Sequence, residues 1–538
     1  MTRLAPGREG PAVRMASAPR PGPCSWAAEV SSATPNVARL SAVSPSSPAT
    51  PDEFALRRSA LSVLADLSPA ALRLGAIFAT AGHELALVGG PVRDAFLGRS
   101  SVDLDFATSA DPYVTERLLR EWSGSVWDVG RDFGTIGAHR DGMTVEVTTY
   151  RSDQYDPASR KPEVAFGDSL EGDLSRRDFT VNAMAVRLPQ LVFVDPFDGL
   201  SDLARGVLRT PVSPEQSFGD DPLRMLRAAR FAAQLGFRIE PGVRDAMTAM
   251  AGRIEIVSAE RVQGELTRIL LAAEPRRGLE LLVDTGLAQA VLPELPALRL
   301  EIDEHHRHKD VYEHTLIVVD QAITLETGPD GPVPGPDLVL RLAALLHDIG
   351  KPATKELEDG GGVSFHHHEL VGARMAAKRL RALRYDRATT AAVARLVELH
   401  LRFHGYGDGS WTDSAVRRYV RDAGDLLERL HRLTRADCTT RNRRKAQRLA
   451  RAYDDLESRI ERLAREEELA SLRPELDGGQ IMECLSIPPG PLVGEAYRFL
   501  LDLRLERGPI GPDAAREALL AWWAARPAGG GGQSSGSA

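Results

Sequence analysis

The stretch LVGGPVRDAFLGRSSVDLDFAT, residues 87–108, decides how the front of this chain folds. A short apolar run breaks at Gly89 and Gly90, a helical turn follows, and a second short strand then carries Asp103 and Asp105. Residues two apart in a strand point to the same face, so the two carboxylates lie side by side. Such a pair is costly without a cation, and Mg²⁺ prefers carboxylates together with substrate phosphates. The glycine pair lets backbone N–H groups approach those phosphates.

Each half of this pattern has an ordinary explanation by itself: a surface Asp-x-Asp on an edge strand, and a common glycine turn. In strand, turn, helix, strand order they are more specific, and they resemble the nucleotidyltransferase domain of the DNA polymerase β superfamily. The GGxVRD form, which includes Arg93, resembles its class II tRNA nucleotidyltransferase and bacterial poly(A) polymerase branch. The resemblance implies that Asp103 and Asp105 hold Mg²⁺ and that Gly89, Gly90 and Arg93 contact the nucleotide.

The composition is that of a globular protein with several domains: 538 residues, 26% charged and 43% hydrophobic. A net charge of −8 argues against a nonspecific polyanion binder, so RNA contact needs a local basic patch. Cys24, Cys438 and Cys484 lack the spacing of metal ligands and suit a reducing compartment. No apolar run approaches the roughly 18 residues of a membrane helix. We therefore expect a cytoplasmic protein without membrane contact, and no obligate protein partner is evident.

A strand pair is predicted at residues 134–151, GTIGAHRDGMTVEVTTYR, with Asp141-Gly142 as its turn. Glu146 in this pair either supplies a third catalytic carboxylate or belongs to a solvated strand face, and the alternation leaves both readings open. The polar stretch of residues 150–166 matches, in the resemblance, the place and length of the flexible loop with which full CCA-adding enzymes switch from C to A.

The segment RRDFTVNAMA, residues 176–185, carries Arg176, Arg177, Asp178 and Asn182. Arginine offers several planar donors to phosphate, so this segment suits a triphosphate and its ribose. The alternative is a solvated basic turn. The fit to the RRDFTxNA motif of the family favours nucleotide binding by these four residues.

The stretch DDPLRMLRAARFAAQLGF, residues 220–237, has helical periodicity, with Asp221, Arg224, Arg227 and Arg230 recurring about one turn apart. Periodicity alone favours an amphipathic helix with a basic solvent face. The family, however, has a nucleotide-selecting EDxxR motif here, although this chain has Asp220 where Glu is usual.

Asp221 and Arg224 suit a particular choice of base. Carboxylate only accepts hydrogen bonds and guanidinium only donates them, so the pair matches cytosine and adenine and opposes uracil and guanine. A buried mismatch costs roughly 1–3 kcal/mol for each unpaired group. The segment SAERVQGELTRILL, residues 258–271, resembles the family's neck helix, where Glu260, Arg261 and Glu265 either brace the nucleotide pocket or, as we favour, form structural ion pairs.

Eleven of the 13 histidines lie between His305 and His431. The order His314, His347-Asp348, Asp437 resembles the HD superfamily of metal-dependent phosphohydrolases, in which these four residues ligate a divalent metal. Imidazole with carboxylate suits Mn, Ni, Fe or Zn rather than Mg alone. A further set of histidines either adds a second metal or holds phosphate: His368, His400 and His404. We interpret His366 and His367 as bystanders, and an inactive HD domain kept as helical scaffolding is the alternative to hydrolysis.

Residues 417–451 are rich in arginine and either contact the phosphates of an RNA stem or form a charged helical face. We predict an α+β fold, with a small mixed-sheet nucleotidyltransferase head followed by all-α neck, body and HD domains. The expected segments are a disordered extension (1–52), the head (53–208), the neck with the nucleotide-selecting helix (209–272), a helical connector (273–304), the HD domain (305–450), a helical tail (451–526) and a disordered tail (527–538).

The predicted function is template-independent addition of CCA to tRNA 3′ ends from CTP and ATP by two-metal phosphoryl transfer. Within this class, the alternatives are a poly(A) polymerase and a CC-adding or A-adding enzyme. From another class, the alternative is an HD phosphohydrolase with an RNA-binding front half.

Overall fold

The computed structural model describes residues 69–99, 103–151, 169–300, 310–357, 363–403, 406, 411–440, 442–467 and 473–526. The predicted disordered segments at residues 1–52 and 527–538 lie outside them, as do most of the predicted flexible loop and His404. No helix in the described ranges has both the length and the apolar character that crossing a membrane requires.

The front of the chain forms these elements in order: α1 (Pro69–Thr80), β1 (Leu85–Val88), α2 (Gly90–Phe96), β2 (Asp103–Thr108), α3 (Pro112–Trp122), β3 (Ser125–Trp127), β4 (Thr135–Arg140), β5 (Met143–Thr149), α4 (Leu170–Ser175), β6 (Ala185–Leu188) and β7 (Val192–Val194). They build a seven-stranded sheet in the order β3-β4-β5-β2-β1-β6-β7. β2 and β5 run parallel, and the other five pairings are antiparallel. The mixed sheet is therefore as predicted.

The turn between β4 and β5 is the predicted Asp141-Gly142 turn. Its two residues have φ values of 52° and 79°. Positive φ at both central positions is what a two-residue hairpin turn of this type requires, and glycine adopts it at little cost.

The two faces of the sheet differ in chemistry around β2 and β5. One face is apolar and buried, and it includes Leu104, Phe106, Val145 and Val147. The alternate residues of the same strands, among them Asp105 and Glu146, are exposed on the opposite face, which we call the open face. Near β1 and β6 the open face is covered by α4, whose Leu170 and Leu174 join a buried cluster with Ala86 and Ala185.

The remaining described chain is mainly helical: α5 (Gly199–Arg205), α6 (Pro214–Asp220), α7 (Leu223–Leu235), α8 (Pro241–Met250), α9 (Ala259–Leu270), α10 (Pro275–Asp284), α11 (Leu287–Val291), α12 (Val311–Thr324), α13 (Leu338–Leu346), α14 (His368–Ala382), α15 (Arg387–Leu399), α16 (Asp413–Ala423), α17 (Leu427–Asp437), α18 (Arg443–Glu467), α19 (Gly478–Leu485), α20 (Pro491–Arg507) and α21 (Pro512–Ala524). Two short strand pairs were not predicted: β8 (Val207–Leu208) with β9 (Arg238–Ile239), and β10 (Lys355–Leu357) with β11 (Val363–Phe365). The α+β class is confirmed.

The helix predicted at residues 220–237 is present as α7, but it begins three residues later, at Leu223, and ends at Leu235. α6 ends at Asp220, Asp221 caps its C-terminus in an extended conformation, and α7 begins at Leu223. The basic solvent face that periodicity favours is absent from α7, because Arg224 is 6% exposed and the Arg230 side chain is 13% exposed. The arginines of α7 have partners inside the protein, which a helical period cannot reveal.

The neck helix, α9, is held at both ends. At its start Ser258 caps it, and Arg261 forms an ion pair with Asp221 at 2.7 Å. At its end, the guanidinium of Arg341 on α13 donates to the carbonyl oxygens of Leu270 and Ala272 at 2.6 and 2.9 Å. The same guanidinium forms a buried ion pair with Glu326. One helix thus connects the α6–α7 junction with the histidine-rich half.

Candidate active site and metal centre

Three carboxylates meet on the open face of the sheet. Asp103 and Asp105 are both exposed on β2, and the parallel register of β2 with β5 places Asp105 beside Glu146. Neighbouring positions in paired strands share a face, so Glu146 joins the two aspartates. Strand alternation in the sequence did not decide this point, because it depends on which residue of β2 pairs with Glu146.

The carboxylate cluster fits a divalent cation. Loss of hydration at the sheet surface, together with the charges of Glu146 and Asp103, raises the pKa of Asp105, and the nearby Arg177 opposes this rise. Carboxylates on neighbouring positions of one sheet face repel one another unless a cation is held between them. Carboxylate oxygens are the ligands that Mg²⁺ prefers.

An arginine lies over the glycine turn next to this cluster. Gly89 has a φ of 74°, and a Cβ there would come within 2.8 Å of the Arg177 guanidinium. Asp173 on α4, itself 1% exposed, accepts from Arg177 at 3.1 Å and from Arg176 at 3.3 Å. Asp173 was not among the predicted site residues. Its only signal in the sequence is an acid one helical turn before the arginine pair.

Four of the predicted nucleotide-binding residues belong to one buried network. Asp178 accepts from the side chain of Asn182 at 2.9 Å and from Nε of Arg227 at 2.7 Å. Asn182 in turn accepts from Arg93 at 2.7 Å. Burial alone would raise the pKa of Asp178, but Arg227 and Asn182 outweigh it and lower the pKa to about 2. The network joins α2, the RRDF segment and α7, so these side chains have structural partners whatever they contact in a ligand.

Asp221 and Arg224 lie beside the arginine pair, and a backbone hydrogen bond joins them, but their side chains contact other residues. Asp221 accepts from Arg261 and from the backbone N–H of Leu223. Arg224 donates to the hydroxyl of Ser217 at 2.9 Å and to the backbone carbonyl of Arg176. Both side chains are therefore fixed by protein contacts next to the segment that carries the arginine pair.

Arg230 faces the neck helix. It forms an ion pair with buried Glu265 at 2.8 Å, and Glu265 also binds Arg268 at 3.0 Å. Its guanidinium lies 4.2 Å from the ring centre of Phe231. Burial lowers the pKa of Arg230 to about 10. These described partners are structural, in line with the ion-pair role expected for Glu265, and none of them belongs to the carboxylate cluster.

The four HD residues converge in the histidine-rich half. His314 Nε2 lies 3.0 Å from Asp437 and 3.5 Å from Asp348, and His347 Nε2 lies 3.2 Å from Asp348 and 3.5 Å from Asp437. Burial disfavours a charged imidazole, but the two carboxylates outweigh it and raise the pKa of His347. Two carboxylates this close, one of them buried, need positive charge between them. A divalent metal suits that need with this set of donors.

His368 and His400 extend this cluster on the other oxygen of Asp348. Their Nε2 atoms lie 3.3 and 4.0 Å from Asp348 Oδ1. Each ring places its Nδ1 against a carbonyl three residues earlier, at 2.8 and 2.6 Å, which leaves a lone pair on Nε2. Both Nε2 atoms are buried without a hydrogen-bond partner. Burial and the charge of His347 lower the pKa of His400 to about 3, so this ring is neutral and its Nε2 could ligate a metal.

A glycine lets His368 come close enough to Asp348 to form the second ligand group, which also includes His400. A Cβ at Gly350, just after Asp348, would lie 2.1 Å from the carbonyl oxygen of His368. Only glycine therefore lets the end of α13 approach the start of α14 this closely. His366 and His367 are exposed, as expected for bystanders.

The basic stretch at residues 417–451 divides into two parts. In its first part arginines pair with acids, including Arg429 with Asp337 and Arg435 with Glu457. At the start of α18 the cations are exposed and have no acidic partner within the described residues: Arg443, Arg444, Lys445, Arg448 and Arg451. Among the described residues of this stretch, the exposed cations without an acidic partner are these five and Arg418, so the charge available to a polyanion lies mainly in the second part.

The open face, with its carboxylate cluster beside a glycine turn and an arginine pair, defines a nucleotidyltransferase. Family models match three segments: "Poly A polymerase head domain" at residues 85–209, "Probable RNA and SrmB- binding site of polymerase A" at 236–298, and "HD domain" at 311–442. The A-adding tRNA nucleotidyltransferase of Deinococcus radiodurans is 35% identical over 448 residues, covering 82% of this chain and 95% of that enzyme. This chain belongs to the tRNA nucleotidyltransferase and poly(A) polymerase family and carries a C-terminal HD domain.

Other relatives match a shorter part of the chain. The CCA-adding enzyme of Bacillus subtilis is 41% identical over 212 residues, which cover 39% of this chain and 52% of that enzyme. Two solved structures share the fold: the Bacillus stearothermophilus CCA-adding enzyme in complex with CTP (TM-score 0.60, 24% identity, 85% of this chain and 98% of that one) and the Thermotoga maritima CCA-adding enzyme complexed with tRNA (TM-score 0.55, 19% identity, 87% and 98%).

Proposed function

We propose that this protein adds CCA to tRNA 3′ ends from CTP and ATP without a nucleic-acid template. The observation that carries the proposal is the cluster of Asp103, Asp105 and Glu146 beside the Gly89 turn and Arg177. Relatives named as CCA-adding or A-adding enzymes support the choice of tRNA as substrate.

In the proposed mechanism the three carboxylates hold Mg²⁺. When bound, such ions lower the pKa of the RNA 3′-hydroxyl and offset charge on the phosphates. Arg177, oriented by Asp173, and the backbone at Gly89 bind the triphosphate. The 3′-hydroxyl gives its proton to solvent and its oxygen forms a bond to the α-phosphorus. The bond from the α-phosphorus to the oxygen that bridges to the β-phosphate breaks, and pyrophosphate leaves with that electron pair.

Base selection is assigned to Asp221 and Arg224. The Asp221 carboxylate accepts from an exocyclic amine, and the Arg224 guanidinium donates to a ring nitrogen. Cytosine and adenine supply that pair of groups, whereas uracil and guanine present the reverse. Arg261 and Ser217 fix the two side chains before a nucleotide arrives, which reduces the entropy lost on binding.

The test uses tRNA that lacks its last three nucleotides, incubated with CTP, ATP, both, or UTP, and product length as the readout. Three additions and no more with both nucleotides, and none with UTP, are expected. A long A tail contradicts the proposal in favour of poly(A) synthesis. Asp103→Ala is expected to abolish incorporation, and retained incorporation would exclude the carboxylate cluster as the site.

A-addition alone is the second candidate, because the match that spans 448 residues is to an A-adding enzyme. The same assay with tRNA ending in CC separates the two. An A-adding enzyme extends only this substrate, by one residue and from ATP, whereas a CCA-adding enzyme also extends tRNA without CC when CTP is present.

The HD centre supports a third activity, metal-dependent phosphoester hydrolysis. Four of its six side chains are buried, two Nε2 atoms lack a hydrogen-bond partner, and the donor set suits Mn, Ni, Fe or Zn. His347→Ala is expected to lose bound metal and any hydrolysis of bis(p-nitrophenyl) phosphate, while CTP incorporation is unchanged. His366→Ala, an exposed histidine of the same region, is the matched control. Metal binding with no hydrolysis by the wild type would identify the centre as a structural site.

A further inference from the structure

One row of residues crosses four strands of the open face. Asp105 pairs with Glu146, Glu146 with Gly137 on β4, and Gly137 with Trp127 on β3. Paired positions in neighbouring strands point to the same side of a sheet. Trp127 therefore lies on the same face as the carboxylate cluster, at the free edge of the sheet.

The indole of Trp127 lies flat on Gly137. A Cβ at Gly137 would be 2.2, 2.3 and 2.5 Å from three consecutive ring atoms, Cε2, Nε1 and Cζ2. Nearly equal distances to neighbouring ring atoms mean that the ring plane, and not its edge, faces the glycine. One side of the indole thus covers Gly137, and the other side faces away from the sheet. The side chain is half-buried, as this placement requires.

The carboxylates lie between this indole and the residues proposed to bind the triphosphate. Arg177 and Gly89 belong to the β1 side of β2, whereas Glu146, Gly137 and Trp127 follow on the other side. Two strand spacings of about 4.8 Å separate Asp105 from Gly137, so the indole is on the order of 10 Å from Asp105. That distance suits a nucleotide whose base stacks on the indole while its sugar reaches the carboxylates.

We infer that Trp127 is a stacking platform for the base of the RNA's 3′-terminal nucleotide, the residue whose 3′-hydroxyl attacks. This inference rests on the proposed function. In-line attack requires the hydroxyl and the leaving pyrophosphate to lie on opposite sides of the α-phosphorus, and the two sides of β2 supply the two sites. Stacking on an aromatic ring accepts any base, as an enzyme whose terminal base changes from one addition to the next requires.

The alternative role for Trp127 is to shield a glycine in a strand, which aromatic residues also do in sheets. A thermodynamic cycle separates the two roles. Binding is measured for wild type and Trp127→Leu, each with tRNA lacking CCA and with the same RNA carrying an abasic 3′-terminal nucleotide. Leucine still covers the glycine but does not stack a base.

Loss of the base is expected to weaken binding about tenfold in the wild type and less than about threefold in Trp127→Leu. In Trp127→Phe, the abasic RNA is expected to bind more weakly than the intact RNA by nearly the same factor as in the wild type. KM for CTP is expected to stay within about twofold in both variants. Equal penalties for the abasic RNA in wild type and Trp127→Leu would overturn the inference, even with a change in Tm. Because binding is measured without turnover, this result is independent of whether nucleotides are added.

Tryptophan emission gives a second readout that does not depend on the leucine variant folding. RNA with an intact terminal base is expected to quench wild-type emission and to leave that of Trp127→Phe unchanged. Trp523→Phe, in the C-terminal helix α21, is the control and is expected to keep the quenching. Quenching that persists in Trp127→Phe would overturn the inference. If the wild type adds no nucleotide to any RNA, the proposed function fails separately.

Discussion

Replacing Glu146 by Gln tests whether the third carboxylate contributes to the cation site. The register places Glu146 beside Asp105, about 5 Å away across adjacent strands. A unit negative charge about 5 Å from a dication attracts it by roughly 1.5 kcal/mol in a water-like dielectric, and by more where water is excluded. A loss of about 1.4 kcal/mol corresponds to a tenfold change in affinity. Glu146→Gln is therefore expected to raise the half-saturating Mg²⁺ concentration about tenfold.

The assay is CTP incorporation into tRNA lacking CCA, measured across a Mg²⁺ titration at constant ionic strength. Constant ionic strength matters because exposed charges are screened by added salt. If Glu146 acts only through its charge, the maximal rate returns at high Mg²⁺. If it is a ligand, the maximal rate also stays low, since an amide binds the ion more weakly than a carboxylate.

Glu121→Gln is the matched control. This residue is exposed on α3, which packs on the apolar face of the sheet, so the variant makes the same charge change away from the cluster. Its Mg²⁺ dependence is expected to equal that of the wild type. An unchanged Mg²⁺ dependence in Glu146→Gln would refute the reasoning and leave Glu146 as a solvated strand residue.

Three further predictions follow from the contacts. Because partial loss of hydration at the sheet surface and the neighbouring carboxylates raise the pKa of Asp105, Asp105→Asn should abolish transfer yet raise Tm at pH 7 without metal. The gain should vanish below about pH 4, where the carboxyl is protonated in both folded and unfolded states. Gly89→Ala should raise KM for CTP at least tenfold by displacing the guanidinium over the turn, whereas Gly82→Ala, with a similar φ but open space, should affect stability alone. Arg341→Met should lower the free energy of unfolding by about 3–5 kcal/mol, because it leaves the buried Glu326 carboxylate without its partner, and adding Glu326→Leu should recover part of that loss. An equal loss of stability in the single and the double variant would contradict this role of the ion pair.

The local parts of the site were accessible from the sequence. Period-two alternation placed Asp103 and Asp105 on one face, and the Asp141-Gly142 turn was recognisable from its residue types. Both features depend on residues close together in the chain. The side of Glu146 was not accessible, since it follows from the register between strands that are some forty residues apart.

The ion-pair partners of the charged side chains could not be predicted from the sequence either. Arg227 pairs with Asp178, and Arg230 pairs with Glu265, so the helical period identified the residues and not their roles. The boundary at Asp221, by contrast, has a local signal, because Pro222 disfavours a helical conformation at the residue before it. Propensity describes a segment, whereas the partners of Arg227 and Arg230 depend on the tertiary structure around it.

The two ends of the neck helix differ in how they would tolerate exchange between relatives. On the front side, the contacts join particular side chains, Arg261 with Asp221 and Glu265 with Arg230. At the other end, Arg341 binds main-chain carbonyls, which any sequence supplies. A chimaera with its junction just after the helix keeps these ion pairs and main-chain contacts, and it separates the Thr267–Tyr385 hydrogen bond and the exposed Glu260–Arg384 pair. A junction before the helix separates the buried Glu265–Arg230 pair and the Arg261–Asp221 pair. A chimaera of two relatives should therefore fold more stably when its neck helix and its front half come from the same parent.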